Sequence, residues 1–310
     1  MSLRVTFLGT SGAVPTTDRA PSAIFINREG DGLLFDCGEG TQRQMMRFGT
    51  GFDISRIFIT HLHGDHILGI PGLVQSLSFN GREAPMTIYT PQATGSEIQT
   101  LLTVGEYTPA FPIEIIEVAP GDVAHETDEY EIRTFQTHHQ TNTVGYALIE
   151  DDRPGRFDRK KAEEELGIPP GPAYGRLHAG ESVELDDGRI IEPEQVVGEP
   201  RPGRKVVYTG DTRPVDATAD IAENADLLIH DATFASDNAE RARSTAHSTG
   251  GEAGEIAARA DVKRLVLTHI SSRYGADASP IKREAEAAFG GEVVLASDGQ
   301  RIDVPFPDQR

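Results

Sequence analysis

A chain of 310 residues is long enough for a large layered α/β core, and its single cysteine, Cys37, excludes an internal disulfide and a CxxC zinc cluster. No apolar run is long enough to span a bilayer, and no signal-peptide core follows Met1, so a soluble, cytoplasmic protein with no membrane partner is expected. The net charge of −20, with lysine only at 160, 161, 205, 263 and 282, would repel nucleic acid at low salt but suits a salt-adapted cytoplasm.

Leu3 to Leu8 reads as a strand that runs into Gly9-Thr10-Ser11-Gly12-Ala13, small residues that either cradle a phosphate on backbone N–H groups or simply turn the chain. Ser22 to Asn27 and Gly32 to Phe35 pair as strands. Asp36-Cys37-Gly38-Glu39-Gly40 then opens a helix from Thr41 to Phe48, stopped by Gly49. The apolar run Arg56-Ile57-Phe58-Ile59-Thr60 predicts a buried strand that delivers His61-Leu62-His63-Gly64-Asp65-His66 to one sheet edge, with a turn at Gly64. Three imidazoles and a carboxylate in six residues are zinc-type ligands, and two ions a few ångströms apart would use all of them. Two-metal sites suit in-line displacement at phosphorus. Ile67 to Phe79 reads as a helix and Met86 to Tyr89 as another strand, an alternation typical of layered α/β proteins.

The pattern of apolar strand followed by ligand recurs downstream. Glu131 to Thr137 runs into His138-His139, Lys205 to Thr209 into Gly210-Asp211, Leu227 to Ile229 into His230-Asp231, and Arg264 to Thr268 into His269. Strand ends gathered at one edge would converge on one site. Spacing alone leaves His138 and His139 as alternatives. Thr249 and Glu252 are spaced as a capping box for a helix through Arg259.

The HLHGDH loop, the upstream LFDCGEGTQRQ, His139 with Gly145-Tyr146 six residues on, YTGDTRP around Asp211 and THISSRY around His269 resemble the metallo-β-lactamase superfamily. More narrowly they resemble its ribonuclease Z branch, over nearly the whole chain. The resemblance implies an αββα sandwich with an inserted protruding arm, and a zinc-dependent endonuclease that removes the 3′ trailer from precursor tRNA. Salt adaptation keeps an RNA substrate compatible with the acidic composition, because the Debye length falls to about 3 Å at about 1 M salt.

The segment Asp151 to Gly180 resembles the family's tRNA-binding arm, with Gly171-Pro172 matching its Gly-Pro motif. Arg153, Arg156, Arg159, Lys160, Lys161 and Arg176 form the densest basic cluster of the acidic chain and are candidate phosphate contacts. His247 in Ala246-His247-Ser248-Thr249 resembles the family's His-Ser-Thr histidine. His230-Asp231-Ala232-Thr233 resembles its His-Glu-Ala-Thr loop, with Asp231 in place of Glu. That side chain is one methylene shorter, which leaves a direct contact to His247 open.

Carried over residue by residue, the resemblance implies that His61, His63 and His139 hold one zinc, that Asp65, His66 and His269 hold the other, and that Asp211 bridges them. Mn or Fe is also acceptable to such ligands. Asp65 would orient the attacking water, His247 would act on the departing ribose 3′-oxygen, and Arg273 would clamp a phosphate oxygen. The family also implies a homodimer and no DNA partner. The rival readings are a small-molecule phosphodiesterase or arylsulfatase on the same metal loop, in which an arm would have no purpose; a non-catalytic RNA-binding subunit of the same fold, which would be expected to lose ligands; and a thioester or lactone hydrolase. Of the other histidines, His138 is expected beside the ligands, and His125 and His178 at the surface.

Overall fold

The computed structural model describes residues 2–309. One unit reaches Ile149 and resumes from Arg204 to Pro305; the other comprises Glu150–Gly203 and the tail that begins at Phe306.

The first unit is a four-layer αββα sandwich. One seven-stranded sheet runs Arg301–Asp303, Leu3–Gly9, Ala23–Arg28, Asp31–Phe35, Arg56–Phe58, Met86–Pro91, Ile113–Val118. The other runs Glu292–Leu295, Arg264–Thr268, Leu227–Asp231, Lys205–Tyr208, Val144–Glu150, Tyr130–Gln136, Val123–Glu126. Their facing sides bury Val5, Phe7, Phe35, Phe58, Tyr146, Tyr208, Ile229 and Val266 in one core. Phe58 stacks on Phe35 and on Tyr89 with ring centroids 4.9 and 4.8 Å apart. Helices Thr41–Phe48, Ile70–Phe79 and Gly95–Leu102 cover the outer face of the first sheet. Gly250–Arg259 and Ser279–Phe289 cover that of the second.

The strands from Asp31–Phe35 through Met86–Pro91 are mutually parallel, as are Lys205–Tyr208, Leu227–Asp231 and Arg264–Thr268. Parallel strands present their carboxyl ends together, where α/β sheets bind their ligands. The stretches after Phe58, Tyr208 and Thr268, and Asp231 itself, therefore share an edge.

Three local expectations change. The helix expected over 67–79 is two helices, Gly64–Ile67 and Ile70–Phe79. Pro71 has no N–H for the carbonyl of Ile67, and the Gly69 N–H donates to Cys37 O at 2.8 Å instead of continuing the helix. Gly64 therefore opens a helical turn and does not form a glycine turn. The loop after Gly9 is no phosphate cradle, because Ser11 N donates to Ala20 O, Ala13 N to Asp65 Oδ2 and Val14 N to Gly12 O. Helix Thr41–Phe48 ends at Gly49, at φ 63°, as its sequence predicts.

The second unit contains the whole of 151–180 and continues to Gly203. Its own small core is Ala162, Ile168, Leu177, Val183, Ile191 and Val196. Its charged run from Phe157 forms only a five-residue π-type turn, Lys161–Glu165, closed by Gly167 at φ 72°. The incoming and outgoing chains pair at Arg153 and Arg201 through N–H···O bonds of 2.7 and 2.8 Å. Asp308 accepts from Arg153, Arg201 and Arg156 at 2.7, 3.0 and 3.3 Å, and the Arg153 guanidinium lies 3.5 Å over the Phe306 ring. Hydrogen bonds from Arg153, then Arg201 and Arg156, hold the Asp308 carboxyl well below the usual carboxylate range. Arg153 and Arg156, expected as phosphate contacts, are engaged by this carboxylate. Replacing Asp308 by alanine should leave three guanidinia without their shared partner, so limited proteolysis should cut within 150–203 sooner than in the parent. Unchanged proteolysis would show that the tail does not hold this unit together.

Candidate metal centre and active site

Among the described residues three overlapping groups of ligand atoms share Asp211, one of them joining it and His269 to Asp231 and His247; the other two are the sets that would hold a metal pair. In the first, His61 Nε2 lies 3.0 Å from His63 Nδ1, which lies 3.1 Å from His139 Nε2. Asp211 Oδ2 is 3.6 Å from His61 Nε2 and 3.9 Å from His139 Nε2. In the second, His269 Nε2 is 3.2 Å from Asp65 Oδ2 and 3.4 Å from His66 Nε2. Asp211 Oδ1 lies 3.3 Å from His66 Nε2 and 3.2 Å from His269 Nε2. A tetrahedral cation about 2.0–2.1 Å from its N and O donors would separate them by about 3.3–3.4 Å. Asp211 Oδ1 is buried with no hydrogen-bond partner among the described residues. A buried carboxylate oxygen without a donor costs free energy unless a cation meets it, so the residues fit a metal pair.

The surrounding groups fix each ring. Asp36 Oδ2 accepts from His66 Nδ1 and from the Tyr208 hydroxyl, both at 2.8 Å. Thr60 Oγ1 donates to Asp36 at 3.0 Å, which leaves its lone pair for His61 Nδ1–H at 3.1 Å. His139 Nδ1 donates to Ala246 O at 2.9 Å, and His269 Nδ1 to Thr233 Oγ1 at 2.9 Å. Ligating histidines hold tautomer and orientation through such partners. Asp36, Ala246 and His269 adopt φ of 57°, 56° and 61°, a left-handed backbone that non-glycine residues hold at a cost and that concentrates at functional sites. Strand pair Ser11–Gly12 and Ile270–Ser271 brings Gly12 so near His269 that a Cβ would lie 2.7 Å from its carbonyl oxygen and 2.9 Å from Nδ1.

Burial, and then the neighbouring His66, pushes His61 well below the ordinary imidazole value. Burial likewise lowers His63 and His139, so the rings of the first set are neutral, as ligation requires. Burial would drive Asp211 toward its neutral form, but His269 and His66 outweigh it and hold the carboxyl well below the usual range.

Beside the ligands, His247 Nδ1 lies 2.8 Å from Asp231 Oδ2, so the shorter carboxylate still reaches. Asp231 is buried and further held by Thr212 N at 3.0 Å and by Thr233 N and Oγ1 at 2.9 and 2.7 Å. Burial opposes protonation of His247, yet the charge and hydrogen bond of Asp231 raise its pKa to about 9. Its ring stands 4.9 Å from that of His139 and 5.1 Å from that of His269. With Nδ1 bound to Asp231, Nε2 has no hydrogen-bond partner among the described residues.

A family profile described as a beta-lactamase superfamily domain matches residues 195–270, and one described as Anti-Pycsar protein Apyc1 matches residues 3–154. Over 309 residues the chain is 63% identical to the ribonuclease Z of Natronomonas pharaonis, covering 100% of both. It is 66% identical over 308 residues to that of Halorubrum lacusprofundi, covering 99% of both. The chain belongs to the ribonuclease Z family. It thus has the metallo-β-lactamase fold and belongs among its phosphodiester-cleaving endonucleases. The crystal structure of human tRNase Z, short form, matches it with a TM-score of 0.71 at 28% identity, covering 98% of this chain and 100% of that one. A metallo-β-lactamase fold protein from Bacillus subtilis gives the same TM-score, 0.71, at 23% identity, a likeness of fold. The haloarchaeal relatives agree with the acidic composition.

Of the remaining expected residues, Arg273 sits exposed on the turn Ser272–Tyr274, its guanidinium without a partner among the described residues. In the second unit, Lys160 lies 4.0 Å from Glu164 and Arg176 3.1 Å from Glu181, both exposed pairs. Gly171 and Pro172 are exposed at the start of helix Pro172–His178. His138 is exposed and contributes only its backbone, donating to Thr212 Oγ1 at 2.9 Å and accepting from Arg213 N at 2.9 Å. His178 is exposed, whereas His125, expected at the surface, is half-buried between Tyr89 and Tyr130. The orienting roles of Asp36, Thr60, Tyr208 and Thr233 were not foreseen. The Asp-Cys-Gly step after a strand was the one sequence signal for Asp36. Among the described residues no helix is long and apolar enough to cross a membrane.

Proposed function

We propose that this chain is a zinc-dependent endonuclease that removes the 3′ trailer of precursor tRNA, leaving a 3′-hydroxyl on the tRNA and a 5′-phosphate on the trailer. The observation that carries the reading is the shared carboxylate: Asp211 turns one oxygen to each ligand set, beside a His247–Asp231 pair. The substrate comes from the relatives, which are named ribonuclease Z and, for the human structure, tRNase Z. His61, His63 and His139 would hold one cation and Asp65, His66 and His269 the other, with Asp211 between them. Such a pair lowers the pKa of water and neutralises the oxygens of the scissile phosphate. Nitrogen and oxygen donors favour zinc, and accept Mn or Fe.

The side chains act around that chemistry. Asp65, whose Oδ2 accepts from Ala13 N at 2.8 Å, is fixed to orient the attacking water. The water oxygen joins phosphorus as the bond to the ribose 3′-oxygen breaks, and His247 Nε2 delivers the proton that this oxygen needs. Asp231 holds the ring and its charge. Arg273, exposed four residues past His269, is free to reach a non-bridging phosphate oxygen.

In this reading residues 151–180 serve as the tRNA-binding arm, with Gly171, Pro172, Lys160 and Arg176 toward the RNA, and the protein works as a cytoplasmic homodimer with no role on DNA. The test is cleavage of an end-labelled 3′-extended precursor tRNA in molar KCl with added Zn or Mn. The intact protein is compared with one whose residues 156–197 are replaced by a short Gly-Ser linker. Gly155 and Gly198 already approach so closely that a Cβ on Gly155 would lie 1.8 Å from Gly198 O, so a short linker can close the gap. The intact protein should cut once at the trailer junction and the shortened one should not, while both hydrolyse bis(p-nitrophenyl) phosphate. Hydrolysis of small esters without RNA cleavage by either would favour the phosphodiesterase or arylsulfatase alternative.

A further inference from the structure

The segment that presents His247 is held from several sides. Ala246, at φ 56°, gives its carbonyl to His139 Nδ1, and His247 N donates to Ala242 O at 2.8 Å. The carbonyl of His247 accepts from Arg213 Nη1 at 2.5 Å. The same Nη1 donates to Glu252 Oε2 at 2.8 Å, and Nη2 donates to Glu252 Oε1. Glu252 is the third residue of helix Gly250–Arg259 and closes its capping box, accepting from Thr249 N at 2.8 Å. Burial disfavours the Glu252 anion, but Arg213 and the Thr249 N–H keep it ionised. At its other end Arg213 donates its backbone N–H to His138 O, next to the ligand His139, and it follows Asp211 by two residues.

Arg213 therefore ties the Asp211 loop to the His138–His139 loop through its backbone N–H, and to the turn carrying His247 into its helix through its guanidinium. We infer that Arg213 is a positioning residue, a bidentate clamp that sets His247 Nε2 at the departing oxygen through the His247 carbonyl and Glu252. Its planar fork matches the carboxylate in a way that a lysine ammonium does not. The inference rests on reading His247 as the leaving-group acid.

A group that positions the acid matters most where the leaving oxygen needs a proton. The ribose 3′-oxygen does, and p-nitrophenolate does not. Arg213→Gln, Arg213→Lys, Glu252→Gln, His247→Ala and the Arg213→Gln/His247→Ala double variant would be assayed on precursor tRNA and on bis(p-nitrophenyl) phosphate, with metal content measured for each. Arg213→Gln should lower kcat on RNA about 10–100-fold, the range typical of partners that orient site residues, with KM little changed. Its loss on the chromogenic diester should be at least about tenfold smaller, on the same scale, and its metal content that of the parent. Arg213→Lys should recover part of the RNA rate, and the double variant should be no slower than His247→Ala alone, as expected of groups acting in one unit.

Equal losses on both substrates with lost metal, or losses that multiply with His247→Ala, would overturn the inference in favour of a purely structural clamp. If His247→Ala slows RNA cleavage and Arg213→Gln does not, the inference fails and the reading of His247 stands. If His247→Ala itself leaves RNA cleavage intact, the reading of His247 fails first.

Discussion

Asp211→Ala is expected to lower kcat/KM for precursor cleavage by about 10³-fold or more, the consequence of losing several kcal/mol of metal-borne charge stabilisation. Asp211 is shared by both sets of the metal pair, with Oδ1 toward His66 and His269 and Oδ2 toward His61 and His139. Its loss should thus deplete metal at both positions, which elemental analysis of the dialysed protein will read. The fold should survive, because the sheets are joined by the aromatic core around Phe35, Phe58 and Tyr146, not by this carboxylate. Far-ultraviolet circular dichroism checks that point. A variant with full metal content and near-parent cleavage would remove Asp211 from the bridging role.

His247→Ala should reduce precursor cleavage by about 10²–10⁴-fold, the usual contribution of a positioned proton donor. Its effect on bis(p-nitrophenyl) phosphate should be far smaller, since that leaving group departs as a stable anion. Asp231→Asn should move in the same direction by a smaller factor. It keeps the size of the side chain but removes the charge that holds His247 protonated against burial. Metal content distinguishes this from damage to the centre: Asp231 and His247 lie in a third group with Asp211 and His269, outside the two sets read as the metal pair, so both variants should keep the parent's metal. If all three substitutions, at 211, 231 and 247, slow the RNA and the chromogenic substrate alike, His247 is not acting on the leaving oxygen.

Residue type and spacing made most of the candidate ligands legible, with several of the elements that carry them. HLHGDH after a β-branched strand, and Asp211 and His269 after similar runs, are legible because strands alternate and end at polar residues whatever surrounds them. The Thr249–Glu252 cap and the stop at Gly49 are local geometry, and both stand where the sequence predicted them. His138 and His139 could not be separated that way, because neighbours on a chain turn in different directions only once the chain is packed. The structure turns His139 toward His63 among the candidate ligands and leaves His138 exposed.

What only the tertiary structure decided concerns groups far apart in the chain. Asp36 reaches His66 and Tyr208 across 30 and 172 positions, and Asp231 reaches His247 at 2.8 Å although one methylene shorter than the family's glutamate. Three arginines converge on Asp308 near the end of the chain, and Arg213 grips Glu252 and the His247 carbonyl. Local propensity acts over a few residues and can show which side chains arrive at a sheet edge. The distances at which they meet depend on how two twisted sheets pack, and a carboxylate's partners are whichever donors that packing brings within about 3 Å.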